Sequence, residues 1–401
     1  MRILYVSQYF VSGDQPGGVR HWQHTKALAR AGHDVTVVTS YVQHKAREIP
    51  EQYRGKKMVR EREGDIDIWR TYSTPGYGRD LRSRLSNYTT FAWWSAIASA
   101  RVPKPDVVIA SSPSLPAAAG AATVARAKRA KFLLEVRDLW PDSAEAMGLV
   151  TDQRMLAVAR RLESFCYARA DHIVALTEGI RDGVIDHGVP VENITLITNG
   201  VDLDMAARGP VHVPVPGDAF VAMYVGAHGT YSSLGTVLQA ADRLRGRTDI
   251  RFVFVGGGDQ KPALVEQAKA LDLNNVTFID PVAKQDVPGW LARADVALLP
   301  YQDIPLFAGA LPNKVFDYLG GGRPIIAAAP EGELSKLVRA AACGIAIRPE
   351  DPAQMAAAIA KLADNRPLAR ELGEAGRAYV VANYNREELA RRFVAAVEAL
   401  A

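Results

Sequence analysis

The sequence predicts an α/β protein built from two doubly wound, Rossmann-like parallel-sheet domains. Its 401 residues exceed one typical domain and have enough apolar material for two cores. Short runs rich in Val, Ile and Phe alternate with longer helical patterns along almost the whole chain, as in a parallel sheet covered by helices. The alternation breaks once, at the Pro-rich segment AARGPVHVPVPGDA, and then restarts.

The opening run, MRILYVSQYF, passes straight into polar sequence with no small-residue cleavage site. It reads as a first buried strand and not as a signal peptide. Further strands are expected near 34–40, 65–72, 106–112, 131–137, 172–177 and 194–198. Between the first two strands, Trp22, Thr25, Leu28 and Ala29 share a helical face and Gly32 supplies the stop, giving one βαβ unit. Pro210, Pro214 and Pro216 mark the linker, so the first domain is assigned to 1–205 and the second to 206–384. The second domain repeats the pattern, with strands near 219–225, 251–255, 276–280, 295–299, 324–328 and 344–348. The stretch from about 365 to 400 reads as helical throughout. Its last part, 385–401, carries Leu389, Phe393, Val397 and Leu400 on one stripe suited to docking back on the first domain.

Composition narrows the function. Forty-eight basic residues against 44 acidic ones leave a net charge of +4, too small over this length to argue for a nucleic-acid partner. Cys166 and Cys343 have neither disulfide-framework nor metal-ligand spacing and fit a reducing, cytoplasmic setting. No run reaches the roughly 18 apolar residues of a membrane span, so the chain is expected to be soluble or peripherally attached, at most at the inner face of the membrane. No H-E-x-x-H or G-x-S-x-G motif occurs, and Asp65 and Asp67 alternate with Ile66 and Ile68 as the two faces of a strand and not as a metal site.

In doubly wound sheets, ligands bind at the carboxyl ends of the strands, and two such domains can face each other across a cleft. Gly17 and Gly18 open the first helix, where free amides suit a phosphate or merely serve the turn. In YVGAHGTYSSLG, Gly226 and Gly229 offer a second anion cradle. His228 in that turn either donates to a phosphate or sugar hydroxyl, or faces solvent. In LPYQDIPLFAGALPNKVFDYLGGGRPIIAA, Pro312 pre-sets a helix whose first turns carry Asn313, Lys314 and Asp317. Lys314 suits a diphosphate and Asp317 a ribose; an ordinary helix ion pair competes with that reading. Arg137 and Asp138 end a buried strand and are either substrate contacts or a pair that holds the loop together. The stretch 76–104 combines Arg79, Arg82, Arg84, Arg101 and Lys104 with Phe91, Trp93 and Trp94, suited to peripheral contact with an anionic membrane or to an ordinary buried helix face.

Taken in order, Gly17-Gly18, EVRDLWPDS, NGVD, FVFVGGGDQKPAL, LNNVTFIDPV, LPNKVFDYLGGGRPIIA, CGIAIRPEDP and ELGEAGRAYV give the chain a resemblance over nearly its full length to the retaining GT-B glycosyltransferases of family 4, closest to the bacterial glycoconjugate subgroup. That resemblance implies a nucleoside-diphosphate sugar, UDP favoured, as co-substrate, with no metal or other cofactor. It places the base near Phe278, Asp280 and Pro281, the ribose on Asp317, and the diphosphate on Lys314 and nearby amides, with Gly18 closing from the other domain. The donor sugar rests against the loop from Phe307 to Leu311. The acceptor, a lipid-linked saccharide or a soluble small molecule, enters near Arg137 and Asp138, with Asp138 a candidate base.

The chain departs from the family pattern in three places. Of the two glutamates seven residues apart, the first position is Gly309 and the second Asp317; the loop after the second domain's first strand has His228 in place of an Arg and a Lys; and Arg137 stands where many members have histidine. The implied reaction is attack on the face the nucleotide leaves. A sugar-nucleotide epimerase of the same fold and a non-catalytic sugar-nucleotide-binding subunit are the alternatives.

Overall fold

The computed structural model describes residues 1–11, 20–42, 48–75, 81–203 and 211–401. They form two compact units, Met1–Thr198 with Glu388–Ala401, and Asn199–Glu387. The expected boundary at 205/206 lies outside the described residues.

In the first unit, β1 (Arg2–Val6), α1 (Arg20–Arg30) and β2 (Asp34–Ser40) make the expected βαβ unit. There follow β3 (Met58–Glu63), β4 (Ile66–Thr71), α2 (Leu81–Arg101), β5 (Val107–Ser111), α3 (Leu115–Lys128), β6 (Lys131–Val136), α4 (Asp142–Ala146), α5 (Gln153–Arg169), β7 (His172–Ala175), α6 (Glu178–Asp186) and β8 (Ile194–Leu196). The sheet order is β3-β4-β2-β1-β5-β6-β7-β8, parallel except for β3 against β4. Every strand read from the sequence is present; β3 is an addition. Its residues, MVRERE, look like a polar loop, yet the charges pair across the hairpin: Arg60 with Asp67 at 3.0 Å and Arg70 with Glu61 at 2.6 Å. A charged strand of this kind suits a sheet edge, where it resists pairing with other chains. The same pairing assigns Asp67 to the hairpin.

Alternation along the central strands feeds two cores. Leu4, Val6, Val108, Ala110, Phe132 and Leu134 pack with Phe91, Ala118 and Cys166 on one face, while Ile3, Tyr5, Val35, Val37, Ile109 and Leu133 point to the other. The buried face of α1 is His21, His24, Thr25 and Leu28, which corrects the expected stripe: Trp22 and Ala29 are only partly buried. Counting apolar residues alone misses a helix that turns two histidines inward.

The second unit comprises β9 (Phe220–Val225), α7 (Leu234–Arg243), β10 (Ile250–Val255), α8 (Lys261–Ala270), β11 (Val276–Ile279), α9 (Val287–Arg293), β12 (Val296–Pro300), α10 (Asn313–Gly320), β13 (Ile325–Ala328), α11 (Glu333–Ala340), β14 (Gly344–Ile347), α12 (Pro352–Asp364) and α13 (Arg366–Asn383). Its order, β11-β10-β9-β12-β13-β14, is all parallel and reverses direction between β9 and β12. That reversal is the switch point at which such sheets take ligands.

The terminal helical stretch is broken in two. At Tyr384 and Asn385 the chain bridges to Val201, whose N–H donates to the Tyr384 carbonyl at 2.8 Å. The last helix, α14 (Arg386–Glu398), then places Leu389, Phe393 and Val397 in the first unit's core beside Ile3 and Tyr5. Among the described residues, no helix is long and apolar enough to cross a membrane.

Candidate active site

In the second unit, the loops after β9, β10 and β11 and the first turns of α10 gather at the carboxyl end of the sheet, where the parallel strands leave backbone groups unpaired. Tyr318 on α10 reaches back to satisfy β9, donating to the Val225 carbonyl at 2.8 Å and accepting from its N–H at 2.9 Å. This docks α10 against the switch point and brings Lys314, one turn earlier, over the end of β9. Lys314 Nζ donates to the Tyr224 hydroxyl at 2.8 Å and lies 4.4 Å from the centre of that ring and 5.7 Å from that of Tyr301. Burial opposes the charge on this ammonium, but Tyr301 and Tyr224 more than offset it and hold its pKa above the ordinary lysine value. The ammonium bonds Tyr224, so the reading of Lys314 and Asp317 as a helix ion pair does not describe it.

The glycine loops are packed backbone on backbone. A Cβ on Gly226 would lie 3.5 Å from Lys314 Nζ, and one on Gly256 would lie 2.0 Å from the Gly226 carbonyl oxygen, at a φ of +140°. No side chain fits at Gly256 without moving the loop that faces Lys314.

His228 does not face solvent: its ring is fully buried against Tyr224, Phe254 and Phe278, and neither ring nitrogen has a partner. Burial first, then the charges of Lys261 and Lys314, hold its pKa down to about 4. An unfolded chain takes up that proton near pH 6.5, so His228 contributes stability above that value which is lost as the pH falls towards 4. The slope it adds is at most about 1.4 kcal/mol per pH unit. Unfolding of His228→Asn followed between pH 7 and 4 is expected to show a shallower acid slope than the parent; an equal slope removes this account.

Of the base-side residues, Phe278 stacks on Phe254 at 5.0 Å, Asp280 is exposed and paired with Lys261 at 2.8 Å, and Pro281 lies against Gly257. Lys261 spends its remaining donors on the Gly256 and Ile279 carbonyls, at 3.0 Å each. Asp317 lines a small pocket with Asp202, Lys284, Val287, Pro288 and Leu291. Burial raises its pKa, against the pull of Lys284 and Arg386. Asp202 is held by Arg386 at 3.2 Å. Sequence reasoning did not single out Tyr224, Lys284 or Asp202 as site residues. Asp202 stands in the NGVD string, but only the turn at Val201 brings it beside Asp317. Gly229 and Asn313 flank the site, partly buried, as does Gly309, whereas Leu311 turns into the core.

In the first unit, Gly17 and Gly18 lie outside the described residues, as does Arg79. Arg137 follows β6, with its backbone N–H on Ser112 Oγ at 2.9 Å and its guanidinium NH1 on His21 Nε2 at 2.8 Å. The guanidinium thus engages the histidine instead of forming the pair with Asp138 weighed from sequence. Burial raises the Asp138 pKa, against Ser143 and Arg137. Along α2, Phe91 is fully buried and forms no part of a surface, while Trp93 is 67% exposed; Arg101 at the helix end and Lys104 beyond it are exposed.

Comparison with known proteins accords with this architecture. The family model described as Glycosyl transferase 4-like domain matches residues 17–200, and that described as Glycosyl transferases group 1 matches residues 219–365. WcaI of Escherichia coli (strain K12), described provisionally as a colanic acid biosynthesis glycosyl transferase, is 26% identical over 92% of this chain and 92% of its own. Sucrose-phosphate synthase of Thermosynechococcus elongatus superposes with a TM-score of 0.76 at 18% identity, covering 100% of this chain and 98% of that one. HepE of Anabaena, solved with UDP and glucose, superposes with a TM-score of 0.70 at 15% identity over 100% of both chains. Two Rossmann-like parallel-sheet units with these matches define the class, a GT-B glycosyltransferase. Within that class the chain belongs to the group 1 glycosyltransferases and is an enzyme of glycosyl transfer.

Proposed function

We propose that the chain moves a sugar from a nucleoside-diphosphate sugar, with UDP the favoured nucleotide, to an acceptor hydroxyl, with retention at the anomeric carbon. The observation that carries this reading is the Lys314 ammonium, held on Tyr224 beside the Gly226 turn at the sheet's switch point. There it meets a diphosphate with fixed positive charge, the stabilisation a departing phosphate needs, without a metal. The UDP bound by HepE, which shares the fold, favours that nucleotide. The acceptor oxygen attacks the anomeric carbon on the face the nucleotide leaves. The bond from that carbon to the β-phosphate oxygen breaks, and the acceptor's proton passes to that oxygen. Asp317 holds the ribose, the Phe278 to Pro281 loop the base, and Arg137 and Asp138 the acceptor. Exposed Trp93 with Arg101 and Lys104 supports a lipid-linked saccharide over a soluble acceptor.

The test is a melting-temperature panel of UDP, UDP-sugars, GDP-mannose and NAD, each with a chelator present. A ligand at about 100 times its Kd stabilises the native state by about 2.7 kcal/mol. UDP-sugars are expected to raise the midpoint and NAD to leave it unchanged; no response to any nucleotide overturns the reading. Binding without consumption indicates a non-catalytic subunit, and an altered donor sugar without acceptor indicates an epimerase. A response abolished by the chelator removes metal independence.

A further inference from the structure

The first unit buries a cluster of ionisable groups on the face of its sheet covered by α1 and α14. Glu135 is fully buried in β6, and its Oε1 accepts from Arg20 Nε at 2.7 Å. Arg20 also donates to the carbonyls of Ile197 and Thr198, at 2.7 and 2.6 Å. Glu135 Oε2 lies 3.4 Å from the Tyr5 hydroxyl, which in turn lies 2.8 Å from His21 Nδ1. His24 is stacked on Phe393 at 3.9 Å, its Nδ1 3.6 Å from Glu135 Oε1. Among the described residues, no group of His, Cys, Asp or Glu side chains is arranged to hold a metal ion.

The protons in this chain of contacts are determined by its ends. A guanidinium only donates, so His21 Nε2, 2.8 Å from Arg137 NH1, is an acceptor and carries no hydrogen. Burial and the Arg137 charge hold the His21 pKa down to about 3, so the ring is neutral at pH 7 and its proton sits on Nδ1. Nδ1–H donates to the Tyr5 oxygen, which leaves the Tyr5 hydrogen for Glu135, whose charge Arg20 balances. Every hydrogen bond from Arg137 to Glu135 therefore points the same way. At the outer end, the Arg137 guanidinium is fixed by NH1, while its Nε–H has no partner.

We propose that His21 is a positioning residue: locked as the Nδ1–H tautomer by Tyr5 and Glu135, it accepts from Arg137 and aims the remaining guanidinium N–H groups at an oxyanion of the acceptor, beyond the carboxyl end of β6. That the oxyanion belongs to an acceptor rests on the transferase reading above; the tautomer and the anion contact do not. An acceptor bearing a phosphate or diphosphate next to the reacting sugar has the required chemistry.

The test uses the full chain labelled with 15N in histidine and in the arginine Nε, with His21→Gln and Arg137→Lys to assign the two signals. At pH 7, His21 is expected to show a protonated Nδ1 and a bare Nε2; a proton on Nε2 overturns the proposal. Inorganic phosphate, titrated in the Lys314→Ala background to remove the donor-side cation, is expected to shift the Arg137 Nε–H signal. His21→Phe is expected to weaken that response by about tenfold or more, the size of one charge-assisted hydrogen bond. His21→Gln, which can place an acceptor near the same guanidinium, is expected to retain it. An Arg137 signal indifferent to phosphate, or equally responsive in His21→Phe, overturns the positioning role. Failure of UDP-sugars to bind leaves these readouts unchanged and counts only against the transferase mechanism.

Discussion

Lys314→Ala is expected to lower the rate of sugar transfer at saturating donor by about two to three orders of magnitude, the cost of removing one pre-positioned donor from a developing negative charge. The ammonium is already fixed before donor arrives, by the Tyr224 hydroxyl at 2.8 Å and the ring faces of Tyr224 and Tyr301. Little reorganisation is then needed as the phosphate leaves. Steady-state kinetics with a UDP-sugar measures this, and an unchanged kcat removes Lys314 from the phosphate site. Tyr224→Phe keeps the ring and loses only the hydroxyl, so a much smaller loss is expected there. A loss equal to that of Lys314→Ala would assign the effect to packing.

Glu135→Ala is expected to destabilise the first unit by about 3–5 kcal/mol, the cost of leaving a buried charge without its partner. The charge left behind is Arg20, whose side chain is 10% exposed against 0% for Glu135. Burial alone would raise the Glu135 pKa, but Arg20 first, with the Arg137 guanidinium adding to it, holds it well below the ordinary carboxylate range. A depressed carboxylate pKa contributes stability above the unfolded value of about 4.3 that is lost as the pH falls below it. Chemical denaturation at pH 7, read with a probe in the first unit, measures the change. A loss under about 1 kcal/mol would mean that water or another anion takes the place of the Glu135 carboxylate beside Arg20. Replacing Arg20 and Glu135 together by apolar residues of similar size is expected to cost less than Glu135→Ala alone, because no charge is then stranded.

The architecture was legible because parallel strands buried on both faces have few ways to appear in sequence. Val107 to Ser111 and Phe220 to Val225 are unbroken buried runs, and each announces itself without reference to its neighbours. The strand that escaped, Met58–Glu63, is stabilised by Arg60, Glu61 and the side chains opposite them, so its evidence lies in another strand. Lys314 and Asp317 were legible because Pro312 starts their helix and the local string is distinctive. Tyr224 and Lys284 were not, since nothing in a strand's penultimate residue or a short turn shows which side chain it will meet.

The buried charges mark the same division more sharply. His21 and His24 sit seven and four residues before Leu28 on α1, at helical spacing, and a reading based on hydropathy places them in solvent. Only the approach of β6, carrying Glu135, and of α14, carrying Phe393, makes that face a place for imidazoles. The sequence by itself determined the two sheets and the helix that presents Lys314 and Asp317, because these depend on local periodicity and backbone geometry. The tertiary structure alone decided the partners and protonation states of Lys314, His21, His228 and Glu135, because burial and electrostatic interaction depend on neighbours that the chain brings from distant positions.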